Sequence, residues 1–382
     1  MFELLREDQA TAARRGRLHL GRATIETPVF MPVGTQATVK AMTAEEVWGL
    51  GYRLILANTY HLYLRPGAEL VQQAGGIHRF MAWDGAVLTD SGGYQVFSLR
   101  DLRRVGEEGV RFRSHLDGTE HLFTPERVIA VEEQLGADII MAFDECPPYP
   151  ATHDYARESM QRTHAWARRC KDAHVTDTLL FGIVQGSTYA DLRRESAEFI
   201  ASLDFPGNAL GGISVGEPRE AMLEAVEVAA PLLPAHKPRY LMGVGMPLDI
   251  LDAVARGMDL FDCVLPTRMG RNGTAFTTYG RANIKGARYR EEFGPIDPEC
   301  PCAVCQRYSA AYLRHLYKAG EILAARLLTY HNLAFYARLM EGIRAALDAG
   351  RFSAFRQEFE RCYTQGDDDG DSGTAGAGQP HS

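Results

Sequence analysis

The sequence lacks the long apolar runs that membrane proteins need. No stretch of about 18 apolar residues occurs in its 382 residues, so none is a candidate for a membrane-spanning helix. Residues 1–16, MFELLREDQATAARRG, carry mixed charges and lack the apolar core of a secretory signal. We therefore expect a soluble, cytoplasmic protein without a membrane partner.

Cysteine is scarce and unevenly placed. Of seven cysteines, Cys300, Cys302 and Cys305 fall within the hexapeptide CPCAVC. Without an export signal, such a cluster indicates a metal site rather than disulfides. With His331, which follows in a helical stretch, the three thiolates would complete a closed tetrahedral site, so one structural Zn²⁺ per subunit is the predicted cofactor. The alternative is that His331 is a buried histidine on the apolar face of its helix.

Positive charge is scarce overall but concentrated in one segment. The chain has 41 Lys and Arg against 49 Asp and Glu, a formal net charge of −8, which gives no global reason to expect a nucleic acid partner. Residues 266–290 nevertheless hold six Lys or Arg and no acid, which favours local binding of a polyanion. Residues 366–382 are rich in Gly and Asp and lack large apolar side chains, so they are predicted to be a disordered acidic tail.

Tandem repeats are absent, but β-rich and helical patterns alternate regularly. One helical pattern is TPERVIAVEEQLG, in which Thr124 is the expected N-cap and Pro125 the first helical residue. Eight short apolar runs each end in polar or glycine residues: PVFMPVG, RLILANTY, AVLTDSGG, DIIMAFDE, LLFGIVQG, NALGGIS, RYLMGVG and LFDCVLPTR. Eight strands alternating with helices favour an α/β fold of the TIM (β/α)8 barrel type over a doubly wound sheet.

Two departures from this alternation define the predicted domains. Alternating residues around Asp117-Gly118 predict a two-stranded hairpin, inserted near residues 110–124, that overhangs the barrel mouth. After the eighth strand come the basic segment, the cysteine cluster and long helical stretches, which do not continue the barrel pattern. We therefore predict a barrel over residues 1–265 and an appended unit over residues 266–365, with a zinc-binding subdomain and C-terminal helices.

The strand ends carry the candidate chemistry, because barrel enzymes place their active sites at the carboxyl ends of the strands. Asp90, Asp144 and Asp262 lie at three of these ends. A lone acid in a loop is usually a helix cap or a solvated turn, but three acids at separate strand ends argue against that interpretation. Two carboxylates facing one substrate suit glycosidic chemistry, in which one attacks the anomeric carbon and the other handles a proton.

The third acid and its neighbours match the edge of a nucleobase. Asp144 can accept from paired donors, while Gln185 and Gly212 can donate to a carbonyl oxygen. That pattern complements the Watson–Crick edge of guanine, which presents N1–H and an amino group beside O6. Tyr94 and Met242 are candidates to cover the two faces of a flat ring, although core packing explains these two residues equally well.

Together these motifs resemble the tRNA-guanine transglycosylases, also called queuine tRNA-ribosyltransferases. The matching stretches run in family order from about residue 30 to residue 331: FMPVGTQATVK, NTYHLYLRPG, LTDSGGYQVFS, AFDEC, GIVQG, ALGGISVGE, YLMGVG, FDCVLPTRMGRNG and CPCAVC with its later histidine. The resemblance implies exchange of guanine at the wobble position of tRNAs with a GUN anticodon. In bacterial members the incoming base is preQ1, 7-aminomethyl-7-deazaguanine, on the route to queuosine, and the resemblance suggests a homodimer.

The resemblance also implies a role for each matching residue. Asp262 would be the nucleophile on ribose C1′, and Asp90 the general acid/base for the departing and arriving bases. The implied base-binding residues, with Ile213 acting through its carbonyl, are Tyr94, Asp144, Gln185, Gly212, Ile213 and Met242. The implied zinc ligands are Cys300, Cys302, Cys305 and His331. The basic side chains expected to contact tRNA are Arg268, Arg271, Arg281, Lys285 and Arg288.

Departures from the family pattern are few. Ile213 stands where leucine is usual, which leaves its backbone carbonyl available. Val215 is bulky, as in bacterial members, whereas the eukaryotic catalytic subunit has glycine there to admit the larger base queuine; this favours preQ1. Two alternatives remain: a non-catalytic RNA-binding member, which need not retain both Asp90 and Asp262, and a barrel glycosidase acting on free sugars, which leaves the basic segment unused.

Overall fold

The computed structural model describes residues 1–98 and 103–365. The predicted disordered tail, residues 366–382, lies outside the described residues. The strands are Phe2–Glu7 (β1), Arg14–His19 (β2), Thr24–Thr27 (β3), Val29–Pro32 (β4), Leu54–Asn58 (β5), Ala86–Asp90 (β6), Arg103–Val105 (β7), Val110–Arg113 (β8), Glu120–Phe123 (β9), Ile139–Met141 (β10), Leu179–Val184 (β11), Gly207–Leu210 (β12), Arg239–Leu241 (β13), Leu260–Cys263 (β14), Thr274–Thr277 (β15) and Gly280–Asn283 (β16).

The helices surround these strands, and none in the described ranges combines the length and apolar character needed to cross a membrane. They are Ala44–Gly49 (α1), Thr59–Leu64 (α2), Ala68–Gln73 (α3), Ile77–Met81 (α4), Gly93–Ser98 (α5), Pro125–Leu135 (α6), His153–Ala173 (α7), Ala190–Ser202 (α8), Arg219–Ala229 (α9), Pro247–Ala255 (α10), Leu265–Arg271 (α11), Ala303–Arg307 (α12), Ala310–Lys318 (α13), Ile322–Asp348 (α14) and Phe352–Thr364 (α15). As predicted, α6 begins at Pro125, with Thr124 as its N-cap.

Eight parallel strands form the barrel, and each overlaps one of the eight apolar runs of the sequence. Their order is β4-β14-β13-β12-β11-β10-β6-β5, and a parallel bridge between Val33 and Leu56 links the two ends of the sheet. Residues of β5 and β6 are buried throughout, because helices cover one face of a parallel sheet and side chains fill the barrel behind the other. The predicted (β/α)8 barrel is confirmed.

The amino end of the barrel is closed by an antiparallel sheet of β1, β2 and β3. Leu18 and Ile25 of this sheet pack in one cluster with side chains of the barrel strands. Arg14 of β2 donates to both carboxylate oxygens of Asp259, at 2.9 and 2.5 Å, and both side chains are buried. Because this end is covered, a large substrate must approach the opposite end, where the strand-terminal acids lie.

The predicted hairpin insertion is present, as β8 and β9, but it has one more strand than expected. The three-residue strand β7 pairs with β8, so the insertion is a three-stranded antiparallel sheet. It docks on α2, where the hydroxyl of Tyr60 lies 2.8 Å from Nδ1 of His115 and that of Tyr63 lies 3.0 Å from Nδ1 of His121. Since α2 follows β5 directly, the insertion stands beside the carboxyl end of the barrel.

The chain beyond β14 contributes to two cores. A small apolar cluster gathers the cysteines of CPCAVC with residues such as Ile284 and Leu313, and includes Leu328 of α14. Further along α14, Leu339 and Ile343 are buried in the main core with the barrel helices. The predicted division of the chain at residue 265 stays a prediction, and α14 is the helix that packs on both sides of it.

Candidate active site

The carboxyl ends of neighbouring strands bring four predicted polar residues together with Asn58. Asn58 and Asp90 end β5 and β6 and pair in register. Asp144 and Gln185 follow β10 and β11, and Asp262 lies near the end of β14. Parallel strands in one barrel place these ends on the same rim, so the site is assembled from five separate stretches of sequence.

Asp90 accepts hydrogen bonds on both carboxylate oxygens. Oδ1 accepts from the backbone N–H groups of Thr59 (3.1 Å) and Gly92 (3.2 Å). Oδ2 accepts from the Gln95 side chain (2.8 Å) and from the Asn58 amide. Burial nevertheless raises the pKa of Asp90 to about 6, against the opposing effect of these donors. A carboxyl that titrates near neutrality can take up and release a proton during turnover.

Asp262 has one fixed oxygen and one open oxygen. Oδ1 accepts from the Tyr240 hydroxyl (2.6 Å) and from the backbone N–H of Gly243 (2.9 Å). In residues 1–98 and 103–365 no group donates to Oδ2. Burial raises the pKa of Asp262, and its negative charge in turn raises that of Asp90. The two acids therefore interact across the site, and of the three site acids only Asp262 has a carboxylate oxygen without a donor in the described part of the chain.

Asp144 and Gln185 are bonded to each other. Gln185 Nε2 donates to Asp144 Oδ2 at 2.6 Å, and Ser91 Oγ donates to Asp144 Oδ1 at 3.3 Å. Gln185 Oε1 is buried and has no hydrogen-bond partner in the described residues. Burial raises the pKa of Asp144 to about 6. Buried polar atoms with unused hydrogen-bonding capacity are typical of a site that binds a polar ligand.

Two glycines bring backbone close to these polar groups. Gly212 has φ +66, and a Cβ at this position would lie 2.0 Å from Gln185 Oε1. A Cβ at Gly93 would lie 2.6 Å from Asp144 Oδ1. Neither position can accommodate a side chain without movement of Asp144 or Gln185, which explains Gly93 of LTDSGG and Gly212 of ALGG.

The two proposed ring-stacking residues differ in exposure. Tyr94 is 58% exposed, so core packing does not account for it. Met242 is half-buried and packs partly against the barrel interior. Ile213 is buried and directly follows Gly212. The role predicted for it uses its backbone carbonyl and not its side chain. An exposed aromatic ring at the rim of a polar recess is well suited to stack on a flat ligand.

The cysteine cluster forms a compact candidate metal centre within the small apolar cluster. The ligand atoms of Cys300, Cys302, Cys305 and His331 all lie within 4.8 Å of one another, and all four residues are buried. His331 Nδ1 lies 3.3 Å from Cys305 Sγ and 3.6 Å from Cys302 Sγ, close to the roughly 3.5 Å between ligands of a tetrahedral zinc ion. His331 Nε2 lies 2.9 Å from the Phe276 carbonyl oxygen, and donation there leaves Nδ1 free to bind metal. These residues can hold a metal ion.

The five predicted tRNA contacts fall into two groups. Arg268 and Arg271 lie on α11, directly after the strand that carries the nucleophile candidate. Arg268 is exposed, and burial together with the Arg268 charge lowers the pKa of Arg271. Arg281, Lys285 and Arg288 are exposed further along the chain, in β16, in the loop after it and in a short 3-10 helix over Ala287–Arg290, respectively. Like charges placed together without an acid in the segment favour a polyanionic partner.

One residue of the site escaped the sequence prediction, and the role of two others was left open by it. Tyr240 lies inside a strand, so only its contact with Asp262 marks it as part of the site. Ser91 and Gln95 stand in the LTDSGGYQVFS motif, and the structure shows that each bonds a different acid, Asp144 and Asp90 respectively. The motif drew attention to both residues but left open whether they contact the ligand or only hold the turn.

Comparison with known proteins supports one family. A family model described as queuine tRNA-ribosyltransferase matches residues 8–365. The queuine tRNA-ribosyltransferase of Symbiobacterium thermophilum is 62% identical over 360 residues, 94% of this chain and 90% of that protein. The proteins of the same name from Pelotomaculum thermopropionicum and Geobacillus kaustophilus are 58% and 55% identical, covering 96% and 95% of this chain and 99% and 96% of theirs.

Proposed function

The chain belongs to the queuine tRNA-ribosyltransferase family and is a tRNA-guanine transglycosylase of queuosine synthesis; on this premise we propose its substrates and mechanism. It exchanges guanine at the wobble position of tRNAs with a GUN anticodon, those for aspartate, asparagine, histidine and tyrosine, for preQ1. The observation that carries the proposal is the pairing of Asp144 with Gln185 beside Gly212, between two further acids.

Base recognition follows from this arrangement. An ionised Asp144 accepts the N1–H and amino protons of guanine, while Gln185 Nε2 and the Gly212 N–H donate to O6. Each good bidentate contact contributes about 1–3 kcal/mol of discrimination against the wrong base, which is enough to reject adenine. Tyr94 and Met242 cover the two faces of the ring, and a loop nucleotide is less costly to extrude than a paired one.

The chemistry uses the two remaining acids in different roles. Oδ2 of Asp262 attacks ribose C1′ as guanine departs, and a covalent ribosyl-aspartate forms. Asp90 protonates the departing guanine and then accepts the proton that preQ1 loses as it attacks C1′. Two inversions at C1′ give net retention. One glycosidic bond replaces another, so the exchange is balanced without a nucleotide triphosphate.

The identity of the incoming base rests on Val215. This residue is half-buried in the loop after Gly212, and Glu217 fixes its backbone by accepting the Val215 N–H at 2.9 Å. A branched side chain held here narrows the space for a substituent at position 7 of the deazaguanine base, which favours aminomethyl over the larger group of queuine. Competition between preQ1 and queuine tests this preference directly.

We further propose that the metal is Zn²⁺, one structural ion per subunit, held by Cys300, Cys302, Cys305 and His331. The soft thiolate set with one imidazole suits zinc, and four protein ligands leave no position for a catalytic water. The ion supplies folding energy to the small unit and takes no part in base exchange.

We also propose that the enzyme acts in the cytoplasm as a homodimer. The family resemblance suggests this state, and the surface of α13 offers a suitable contact. On this helix Tyr312 stacks on His315 and on Tyr308, which precedes the helix, and Tyr312 is 40% exposed. Aromatic side chains are enriched at protein–protein interfaces.

The tRNA is proposed to contact Arg268 and Arg271 near the site, with the smaller unit's basic residues positioning its backbone.

Incubation with radiolabelled guanine tests the proposed function. The protein should incorporate label into a tRNA with a GUN anticodon, and addition of preQ1 should chase it out. A tRNA in which the wobble guanine is replaced by adenine is the matched control and should remain unlabelled. Equal labelling of both tRNAs would contradict the assignment, and so would labelling that requires ATP.

The rate should also depend on pH in a defined direction. Attack by the incoming base needs ionised Asp90, and recognition of its edge needs ionised Asp144; burial raises the pKa of each to about 6. We expect kcat/KM for guanine to be level above pH 7 and to fall at least about tenfold per pH unit well below 6. A rate that stays level down to pH 5 would show that neither group titrates there.

The expected fall in rate below pH 6 is not caused by unfolding of the protein through protonation of Asp90 and Asp144. A carboxyl whose pKa is raised on folding stabilises the folded state most when protonated. Its contribution is fully present below about pH 4 and is lost as the pH rises through 6. Thermal unfolding followed over the same pH range serves as the control for the rate measurement.

A further inference from the structure

The loop that carries Gln185 is fixed by side chains of α8. Strand β11 ends at Val184, and the next residues leave the sheet ladder, with Gly186 at φ +129 and Ser187 at φ +51. Ser196 Oγ accepts the backbone N–H of Gln185 at 3.0 Å. The backbone position of Gln185 is therefore set by a helix side chain rather than by a neighbouring strand.

Arg193, one turn before Ser196, bonds the same loop on both sides of Gln185. Its Nε donates to the Ser187 carbonyl at 2.6 Å and its Nη1 donates to the Val184 carbonyl at 3.1 Å. The side chain is 0% exposed. Burial lowers the pKa of Arg193 to about 10, so the guanidinium remains charged at neutral pH and its hydrogen bonds are charge-assisted.

The Val184 carbonyl links this loop to the second glycine loop. It accepts the Arg193 bond and also the backbone N–H of Gly211 at 3.1 Å. Gly211 immediately precedes Gly212, whose N–H is the second donor proposed for O6. Both proposed O6 donors therefore depend on the position of one carbonyl group, which Arg193 contacts directly.

Ser196 is itself oriented from α7. His164 Nε2 lies 2.9 Å from Ser196 Oγ, and burial lowers the pKa of His164 to about 4. The neutral imidazole can accept the Ser196 hydroxyl proton, which leaves an oxygen lone pair for the Gln185 N–H. All three side chains, Arg193, Ser196 and His164, are buried.

The Asp144 side of the site is fixed by a different helix. On α7, Thr163 Oγ1 accepts the N–H of Glu145 at 3.0 Å and Cys170 Sγ lies 3.2 Å from the N–H of Phe143. These bonds flank Asp144, just as the α8 bonds surround Gln185. Asp144 and Gln185, which are proposed to contact different parts of the base edge, are thus held by different helices. A change that displaces one of them should be distinguishable from a change that displaces the other.

We propose that Arg193 and Ser196 are positioning residues for selection of the base at O6. They place the Gln185 side chain and the Gly212 N–H so that both donors reach one acceptor atom. The inference rests on the proposed function, because it takes Gln185 and Gly212 as the groups that contact O6.

The test compares two base analogues in the guanine-exchange assay. 6-Thioguanine keeps N1–H and the amino group but replaces O6 by sulfur, a weaker acceptor, whereas hypoxanthine keeps O6 and lacks the amino group. In Arg193→Lys, which keeps the charge but cannot bond both carbonyls, we expect the preference for guanine over 6-thioguanine to shrink roughly tenfold. The preference over hypoxanthine and the KM for tRNA should change less than about twofold.

Ser196→Ala should also reduce the preference for guanine over 6-thioguanine. Because this variant loses only one oxygen atom, it tests the inference even if Arg193→Lys does not fold. Arg194→Lys and Ser202→Ala, at exposed positions of α8, are the matched controls and should leave both ratios unchanged. If the folded variants lose stability or overall rate while both ratios stay at the wild-type values, Arg193 and Ser196 only support the fold and the inference is wrong. Absence of guanine exchange in the wild-type protein would instead refute the proposed function.

Discussion

Asp262→Asn is expected to abolish guanine exchange, with a loss of roughly 10⁴-fold or more. The amide nitrogen and oxygen cannot form the ester with ribose C1′ that the carboxylate forms. The substitution keeps the size of the side chain, and its oxygen can still accept from Tyr240 and Gly243 as Oδ1 does now. Loss of activity would therefore reflect lost chemistry rather than a changed fold, and a wild-type thermal midpoint would confirm this.

A covalent adduct gives the sharper measurement. Wild-type protein incubated with tRNA without free base and then denatured should retain RNA on the polypeptide, while Asp262→Asn should retain none. Tyr240→Phe is the matched control, because it keeps the nucleophile and removes one donor from its fixed oxygen. We expect this variant to form the adduct about 10–100 times more slowly, as for a lost hydrogen bond to a charged group. Adduct formation by Asp262→Asn at the wild-type rate would show that another residue is the nucleophile.

Hydrogen bonding supports the proposal that Asp262, rather than Asp90, is the nucleophile. Both oxygens of Asp90 are engaged by donors from four residues, and using either as a nucleophile would break at least one of these bonds. Asp262 is engaged through Oδ1 alone in the described residues. The sequence shows two acids at strand ends, but the difference between them comes from the neighbours that folding supplies.

The same distinction separates what the sequence could predict from what it could not. The eight barrel strands were predictable because a strand buried on both faces must be a short apolar run, and its polar end must face the rim. The candidate metal ligands were predictable because three of them fall within six residues. Tyr240 and Arg193 were not, since nothing local distinguishes a tyrosine in a strand or an arginine in a helix from ordinary residues.

Two further features of the structure, the strand β7 and the double packing role of α14, could not be predicted from the sequence for a similar reason. The third strand of the hairpin insertion, β7, has three residues and pairs only through β8, so it has no hydrophobic period long enough to detect. Helix α14 appears in the sequence as one continuous apolar pattern. Only the packing shows that Leu328 serves the small core while Ile343 serves the barrel.

Loss of a metal ligand is expected to have the second large effect. Cys305→Ser should lower bound zinc from one ion per chain to less than about a tenth, because structural zinc contributes roughly 10–16 kcal/mol of apparent binding energy in small domains and depends on its full ligand set. Metal analysis of the purified protein measures this. Cys362→Ser, at a half-buried cysteine of α15 away from the cluster, is the matched control and should keep one ion per chain.

Loss of the metal should disorder the region that packs around the small apolar cluster of CPCAVC. Its apolar cluster consists largely of residues between Ala275 and Leu328 and includes the cysteines themselves, so without metal it has too little buried surface to stay ordered. We expect faster amide hydrogen exchange in residues 274–318 of Cys305→Ser, while the barrel strands stay protected. Because Arg281 and Lys285 lie in this unit, tRNA binding should weaken more than guanine binding. Wild-type protection of residues 274–318 in a zinc-free variant would show that the apolar cluster, and not the metal, maintains the unit.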